Sequence, residues 1–267
     1  MISEKYGDPV LKIDHSGCYA YVYDGATQIK ENTSEATISQ YRIMLDGSIV
    51  PLQPAVIHLG RIAIWDLILH PDGRSIYAIC SKWDGKDEDE ECVMQLHVGS
   101  DGGLTPLVPA EAPIGAYGTS FVIAPNGQNS YTIGGKDGLQ IDQYRISPLG
   151  ELSPLASIKI PSATPGASVT LDPAGHFAYV VSQDDGVIHQ FQIGAQGALT
   201  ALKQKKVDTG TLPNILYIDP QTHFLCLSNL HGGDLALYRI NGGALAPAKP
   251  GTLNTDTAPV SVAFVLR

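Results

Sequence analysis

Apolar and polar residues alternate with a period of two along most of the chain, in short runs broken by Gly, Pro, Asn and Asp. Such alternation puts successive side chains on opposite faces of a strand, and no run keeps a 3.6-residue period long enough for a helix. One phrase recurs, as "QYRIMLDGSIVPL", "QLHVGSDGGLTPL", "QYRISPLGELSPL", "QFQIGAQGALTAL" and "LYRINGGALAPA". Its turn glycines, Gly47, Gly102, Gly150, Gly197 and Gly243, fall 55, 48, 47 and 46 residues apart, the period of a repeated supersecondary unit.

Each unit also has a first half, an apolar strand, a turn and an aromatic strand: "LKIDHSGCYAYVY", "LILHPDGRSIYAIC", "FVIAPNGQNSYTIG", "VTLDPAGHFAYVVS" and "LYIDPQTHFLCLS". Four residues past the turn stand Tyr21, Tyr77, Tyr131 and Tyr179, with Cys226 in the last copy. A residue type repeated at one position implies one repeated environment, and the tyrosines are expected to pack between units. Four antiparallel strands per unit make a propeller blade, whose two faces are buried by its neighbours. The fold class read from this pattern is all-β, a β-propeller of four-stranded antiparallel blades. It forms one domain over 1–267, with repeats at approximately 9–62, 63–116, 117–165, 166–212 and 213–258 and a closing strand at 259–267. The closing "APVSVAFVLR" is a sixth copy of a first strand, although "DPVLKIDHSG" already supplies one for the first repeat. One of the two is surplus. The "SP", "DG" and "NG" pairs mark strand reversals, and "GGKDG" lacks the strand-to-helix context of a phosphate-cradling loop.

Composition narrows the partners. A formal charge of −10, from 27 acidic against 17 basic residues, disfavours a nucleic-acid backbone, which is bound through Lys and Arg. The start "MISEKYGDPVLKIDHSG" has no basic-then-apolar leader, and no stretch approaches the roughly 18 apolar residues of a membrane span. The expectation is a soluble, cytoplasmic protein with neither nucleic acid nor membrane as partner. Cys18, Cys80, Cys92 and Cys226 lack paired CxxC spacing and read as four buried thiols, with Cys80 and Cys92 flanking an insertion across which they could approach. That insertion, "SKWDGKDEDEECVMQ", holds Asp84, Asp87, Glu88, Asp89, Glu90 and Glu91. It reads as a solvated loop, with weak Ca²⁺ binding as the other reading. "YDGATQIKENTSEATISQY" is a second polar excursion, expected at the same end of the fold. The remaining histidines are scattered without ligand spacing, and neither a metal nor a cofactor is expected.

The blade phrase resembles that of the lactonase-like β-propellers, which include bacterial 6-phosphogluconolactonase and the muconate-lactonising cycloisomerase. "LILHPDGRSIYAIC" followed by "MQLHVGSDGGLTPL", "VTLDPAGHFAYVVS" with "IHQFQIGAQGALTAL", and the closing "PVSVAFVL" carry the likeness over nearly the whole chain. The resemblance implies a seven-bladed ring, so five repeats make either a small ring or a shortened relative of a larger one. It also implies hydrolysis or formation of a lactone ring, at one end of a central channel, by His, Arg and Glu near the starts of the innermost strands. The matching stretches here, "IAIWDL", "AYGTSF", "TPGASV", "LPNILY" and "APVSVA", hold no Arg–His pair.

Lactone hydrolysis needs a base to activate water and a donor to hold the oxyanion. The loop "VIHLGRIAIWD" offers His58, Arg61 and Asp66, and "PAEAPIGAYGTS" offers Glu111 and Tyr117. In this reading Glu111 or His58 is the base, Arg61 the oxyanion donor and Asp66 their orienting partner, while Tyr117 and Asn214 contact the substrate. The partner is then a sugar or other small organic lactone. The competing reading is a non-catalytic propeller that binds a protein or small ligand on its loops, the polar residues being water-facing rim. An incomplete ring would expose strand edges and self-associate, whereas a closed one would be a monomer.

Overall fold

The computed structural model of the chain describes residues 9–24, 35–82, 90–115, 118, 120–136, 138–161, 166–210, 212–221, 223–229 and 232–255. Among them the structure is all-β, without a helix. The first sheet runs in the order β1 (Pro9–Ile13), β2 (Tyr19–Asp24), β3 (Thr37–Ile43), β4 (Ile49–His58). The second runs β5 (Ile62–Leu69), β6 (Ser75–Lys82), β7 (Glu90–Val98), β8 (Leu104–Pro113). The third repeat supplies β9 (Ser120–Ile123), β10 (Asn129–Gly134) and β11 (Leu139–Ile146), then β12 (Leu152–Pro154) and β13 (Ile158–Ile160), of which β13 pairs with β11. The expected single fourth strand is here broken into two pieces. The fourth sheet is β14 (Gly166–Leu171), β15 (Phe177–Ser182), β16 (Val187–Ile193), β17 (Leu199–Asp208). The fifth is β18 (Pro213–Ile218), β19 (Phe224–Asn229), β20 (Asp234–Asn241), β21 (Ala244–Asn254). The closing stretch 259–267 lies outside the described residues.

The chain divides into two compact units, Met1–Ala116 with Ile146–Ser153, and Tyr117–Arg145 with Pro154–Arg267. In the first unit, Tyr21, Tyr23 and Ile38 of the first sheet meet Ile64, Ile76, Cys80, Met94 and Leu96 of the second. In the second unit, one layer joins Tyr131, Ile141, Val169 and Val180, and another joins Tyr179, Ile188, Leu216 and Leu227, so the fourth sheet is covered on both faces. This explains the unbroken burial of β10 and of β6 through Ser81, where alternation selects between two dry faces rather than between core and water.

The repeated tyrosines are wholly buried, as expected, and each donates its hydroxyl to the turn glycine of the next repeat. In the first unit Tyr21 reaches the Gly102 carbonyl at 2.9 Å and Tyr77 that of Gly150 at 2.7 Å. In the second, Tyr131 reaches Gly197 at 2.7 Å and Tyr179 reaches Gly243 at 2.9 Å. Beside each tyrosine, directly across the strand pair, stands a glutamine: Gln40, Gln95, Gln143 and Gln190. Its Oε1 accepts the amide N–H two residues past the same glycine, from Leu104 at 2.6 Å, Leu152 at 2.5 Å, Leu199 at 2.8 Å and Leu245 at 2.7 Å. Its Nε2 donates to the outer stretch of its own repeat, at Pro54, Pro109, Ala156 and Gln204. Within each unit, a Tyr–Gln pair thus grips a facing glycine turn by two directed bonds placed side by side. Burial pushes the Tyr131 phenol up to about 12, so it stays a donor at neutral pH.

The outer edges are blunted against further pairing. β4 carries Pro51 and Pro54, β8 carries Pro106 and Pro109, and β17 carries Lys203, Lys205 and Lys206. Three of the four cysteines are buried thiols, but Cys18 is exposed in the first turn, where its strand has not yet entered the core. Cys80 and Cys92 are register partners on β6 and β7, and the Cys80 thiol donates to the Cys92 carbonyl at 3.3 Å. The neighbouring Cys92 side chain, with burial, raises the Cys80 pKa and keeps the thiol protonated.

Two predictions follow the packing. Gly197 has φ +82°, and a Cβ there would fall 2.0 Å from the Asn129 side chain; Gly47 has the same φ with nothing within 4 Å among the described residues. Gly47→Ala should cost only the left-handed backbone term, about 1–2 kcal/mol, while urea unfolding of Gly197→Ala should show a clearly larger loss. Separately, the His189 Nε2 is buried without a hydrogen-bond partner among the described residues, and burial lowers the imidazole pKa against a smaller opposing pull from Asp185. The unfolded chain therefore binds the proton first as pH falls, so stability is full above about 6.5 and declines below it. Urea midpoints of His189→Leu measured from pH 7.5 to 5 should fall less steeply than those of the parent.

Candidate functional site

In the first unit the first strands of neighbouring sheets, β1 and β5, are joined by an ion pair. Lys12 Nζ lies 2.8 Å from Asp66 Oδ1, with the two side chains 32% and 44% exposed, so water reaches both. The same Oδ1 accepts the Tyr23 hydroxyl at 3.2 Å and the Leu67 N–H at 2.8 Å, while Oδ2 takes none of these three bonds. Burial and the Asp66 charge raise the Tyr23 phenol above its ordinary range, keeping it a hydrogen-bond donor. A register shift between Ile64 and Asp66 inserts Trp65 as an extra residue in β5. The bulge turns its indole outward, half exposed, and re-aims Asp66 towards Lys12. The indole N–H donates to Ser81 Oγ at 2.5 Å, and that hydroxyl lies 3.1 and 3.0 Å from the two Glu91 oxygens.

The residues expected to act together are held by different partners. His58 is the last residue of β4 rather than a loop residue, because β4 stays paired with β3 through Thr37; its Nδ1 lies 3.2 Å from Glu35 Oε2. Glu111 likewise lies within β8, opposite Met94, and its Oε2 is paired with Lys82 Nζ. That bond raises the lysine pKa despite partial burial. Lys82, Glu111, Glu90, Glu91 and Cys92 line a recess of about 150 Å³ at the end of the second sheet. Arg61 immediately precedes β5, and Asn214 is half-buried on β18 in the second unit. Tyr117 lies outside the described residues, as do Asp84, Asp87, Glu88 and Asp89 of the acidic insertion, while Glu90 and Glu91 open β7. Among the described residues no three or more His, Cys, Asp or Glu side chains gather as metal ligands.

Lys12 and Tyr23 escaped the sequence reading. Lys12 sits in an ordinary strand phrase, and its partner lies on the first strand of the next sheet, far away in sequence. Only the "YAYVY" run, with a tyrosine on the same face as Tyr21, hinted that Tyr23 had a buried role.

A model of the family described as lactonase, 7-bladed beta-propeller, matches residues 128–261, just over half the chain. The chain belongs to that family. This accounts for the four-stranded antiparallel sheets as propeller blades. No curated protein sequence matches the chain. Among solved structures it is similar to the periplasmic gluconolactonase of Pseudomonas aeruginosa, with 18% identity and a TM-score of 0.70 over 94% of this chain and 70% of that one. It is similar also to a 6-phosphogluconolactonase candidate from Bacteroides fragilis, with 14% identity and a TM-score of 0.67 over 93% and 84%. Hydrazine synthase of Kuenenia stuttgartiensis shares the fold too, with 13% identity and a TM-score of 0.61 over 88% and 71%. At these identities the likeness is one of fold, which lactonase-type propellers share with proteins of unrelated chemistry.

Proposed function

We propose that the chain is a lactonase-type hydrolase that opens a small organic lactone at the Lys12–Asp66 pair. The observation that carries this reading is a water-accessible carboxylate joined to a cation and a phenol on facing blades. Oδ2 of Asp66 takes a proton from water as its oxygen attacks the lactone carbonyl. The Lys12 ammonium donates to the oxygen that becomes negative. Collapse breaks the ring C–O bond, and the proton held by Asp66 passes to the departing alkoxide, leaving a hydroxy acid. Trp65, turned outward beside Asp66, offers an apolar surface to a ring. Family membership and the fold likeness to gluconolactonases support the substrate class. The partner of this site is the lactone, and no cofactor is invoked.

A second reading, a non-catalytic binding propeller, is favoured by the separate pairing of His58 with Glu35 and Glu111 with Lys82. Hydrolysis of a panel of sugar and aliphatic lactones separates the two. Turnover should fall about 10²- to 10⁴-fold in Asp66→Asn and about 10²- to 10³-fold in Lys12→Met. Activity lost in Glu111→Gln but kept in Asp66→Asn moves the chemistry to the Lys82 recess. No turnover of any lactone by the parent chain leaves the binding reading.

A further inference from the structure

Two of the buried thiols face each other across the second sheet. Cys80 and Cys92, 0% and 4% exposed, are register partners on β6 and β7. The bond from Val98 N–H to the Arg74 carbonyl makes Ser75 and His97 a non-hydrogen-bonded pair, so the alternation along the ladder makes Cys80 and Cys92 a hydrogen-bonded one. Partners of that kind stand roughly 5.5 Å apart at Cα, a usual separation across a disulfide. Both side chains lie in one apolar cluster, with Tyr23, Ile64 and Met94. The Cys80 thiol already lies 3.3 Å from the Cys92 carbonyl oxygen. A bridge requires the two Cβ atoms to draw in by only about 1 Å from ordinary cross-strand spacing.

The two thiols differ in what can reach them. Cys92 lines the recess that holds Lys82 and Glu111, and its volume of about 150 Å³ is well above the roughly 10–15 Å³ that admits a water molecule. A small peroxide fits there. The Lys82 ammonium in the same recess can donate to hydroxide leaving such a molecule. Cys80 does not line the recess, and the Cys92 side chain and burial together raise its pKa, so it waits as a thiol. Cys18 is no partner for either: it is exposed beside Tyr19, whose hydroxyl bonds the Ser100 carbonyl beyond the far end of β7. Cys226 belongs to the second unit.

We propose that Cys80 and Cys92 are a redox-active dithiol that closes into a cross-strand disulfide when a small peroxide enters the recess. The Cys92 sulfur attacks one peroxide oxygen, the O–O bond breaks, and the departing hydroxide takes the thiol proton and leaves as water. Cys92 is then a sulfenic acid. The Cys80 sulfur attacks the Cys92 sulfur, the S–O bond breaks, and the second hydroxide takes the Cys80 proton to give a second water. Two thiols are oxidised and one peroxide is reduced, with no further reactant. The bridge pins β6 to β7 at the base of the acidic insertion and closes the loop 80–92 in the unfolded chain, which makes the oxidised protein the more stable form.

Peptide mapping of the folded protein after hydrogen peroxide, with residual thiols alkylated, tests this. Cys80 and Cys92 of the same chain should be recovered in one linked species, dithiothreitol should release both, and the urea midpoint of the bridged protein should lie above that of the reduced one. In Cys80→Ala the sulfenic acid on Cys92 has no thiol to resolve it and should be trapped by dimedone. In Cys92→Ala the Cys80 thiol should stay unmodified. The parent mapping decides the matter even where a variant fails to fold. Cys80 and Cys92 that remain thiols at peroxide doses that oxidise Cys18, or that link only after urea has unfolded the chain, contradict the proposal. A dimedone label on Cys80 instead of Cys92 overturns the order of attack and the role of the recess with it.

Discussion

A tyrosine hydroxyl buried against the carbonyl of a glycine turn in the next repeat is the contact on which the rest of this fold depends. Strands within a sheet satisfy one another, but stacked sheets touch mainly through side chains, which are non-directional and tolerate sliding. The Tyr–Gln pair removes that freedom. It bonds two backbone groups two residues apart on the facing turn, at 2.7 to 2.9 Å from the hydroxyl and 2.5 to 2.8 Å to the amide oxygen. Because both partners are dry, breaking either bond strands a polar group away from water.

The candidate chemistry is a consequence of that fixed stacking. Lys12 and Asp66 come from different sheets, and their contact exists only because β1 and β5 are held side by side in the first unit. Tyr23 links the two layers: it lies on the same face as Tyr21, two residues along β2, but its hydroxyl turns to Asp66 rather than to a glycine. The bulge at Trp65 then aims the carboxylate. The frame supplies the positions, and one local irregularity supplies the site.

Much of the frame was legible in the sequence because turns impose hard steric demands. A left-handed turn needs glycine, so Gly47, Gly102, Gly150, Gly197 and Gly243 mark the period directly. The buried tyrosines were readable as a shared environment for the same reason. Their glutamine partners sat in the repeated phrase, yet their role was hidden, since each acceptor and donor lies in a different repeat. The site was less legible still. His58 and Glu111 had the right chemistry for a loop, but strand pairing persists through both and hands them to Glu35 and Lys82. The Lys12–Asp66 contact depends on a bulge that leaves no signature in alternation, since "IAIWDL" reads as an ordinary buried strand.

The most direct measurement is a double-mutant cycle on one clamp, Tyr179→Phe, Gln190→Leu and the pair together, followed by urea unfolding. If the clamp holds successive sheets, each single change costs about 1–3 kcal/mol, and the double variant loses less than the sum because both side chains brace the Gly243 turn. Single and double variants all within about 0.5 kcal/mol of the parent, the scale of an uninvolved surface change, would contradict it.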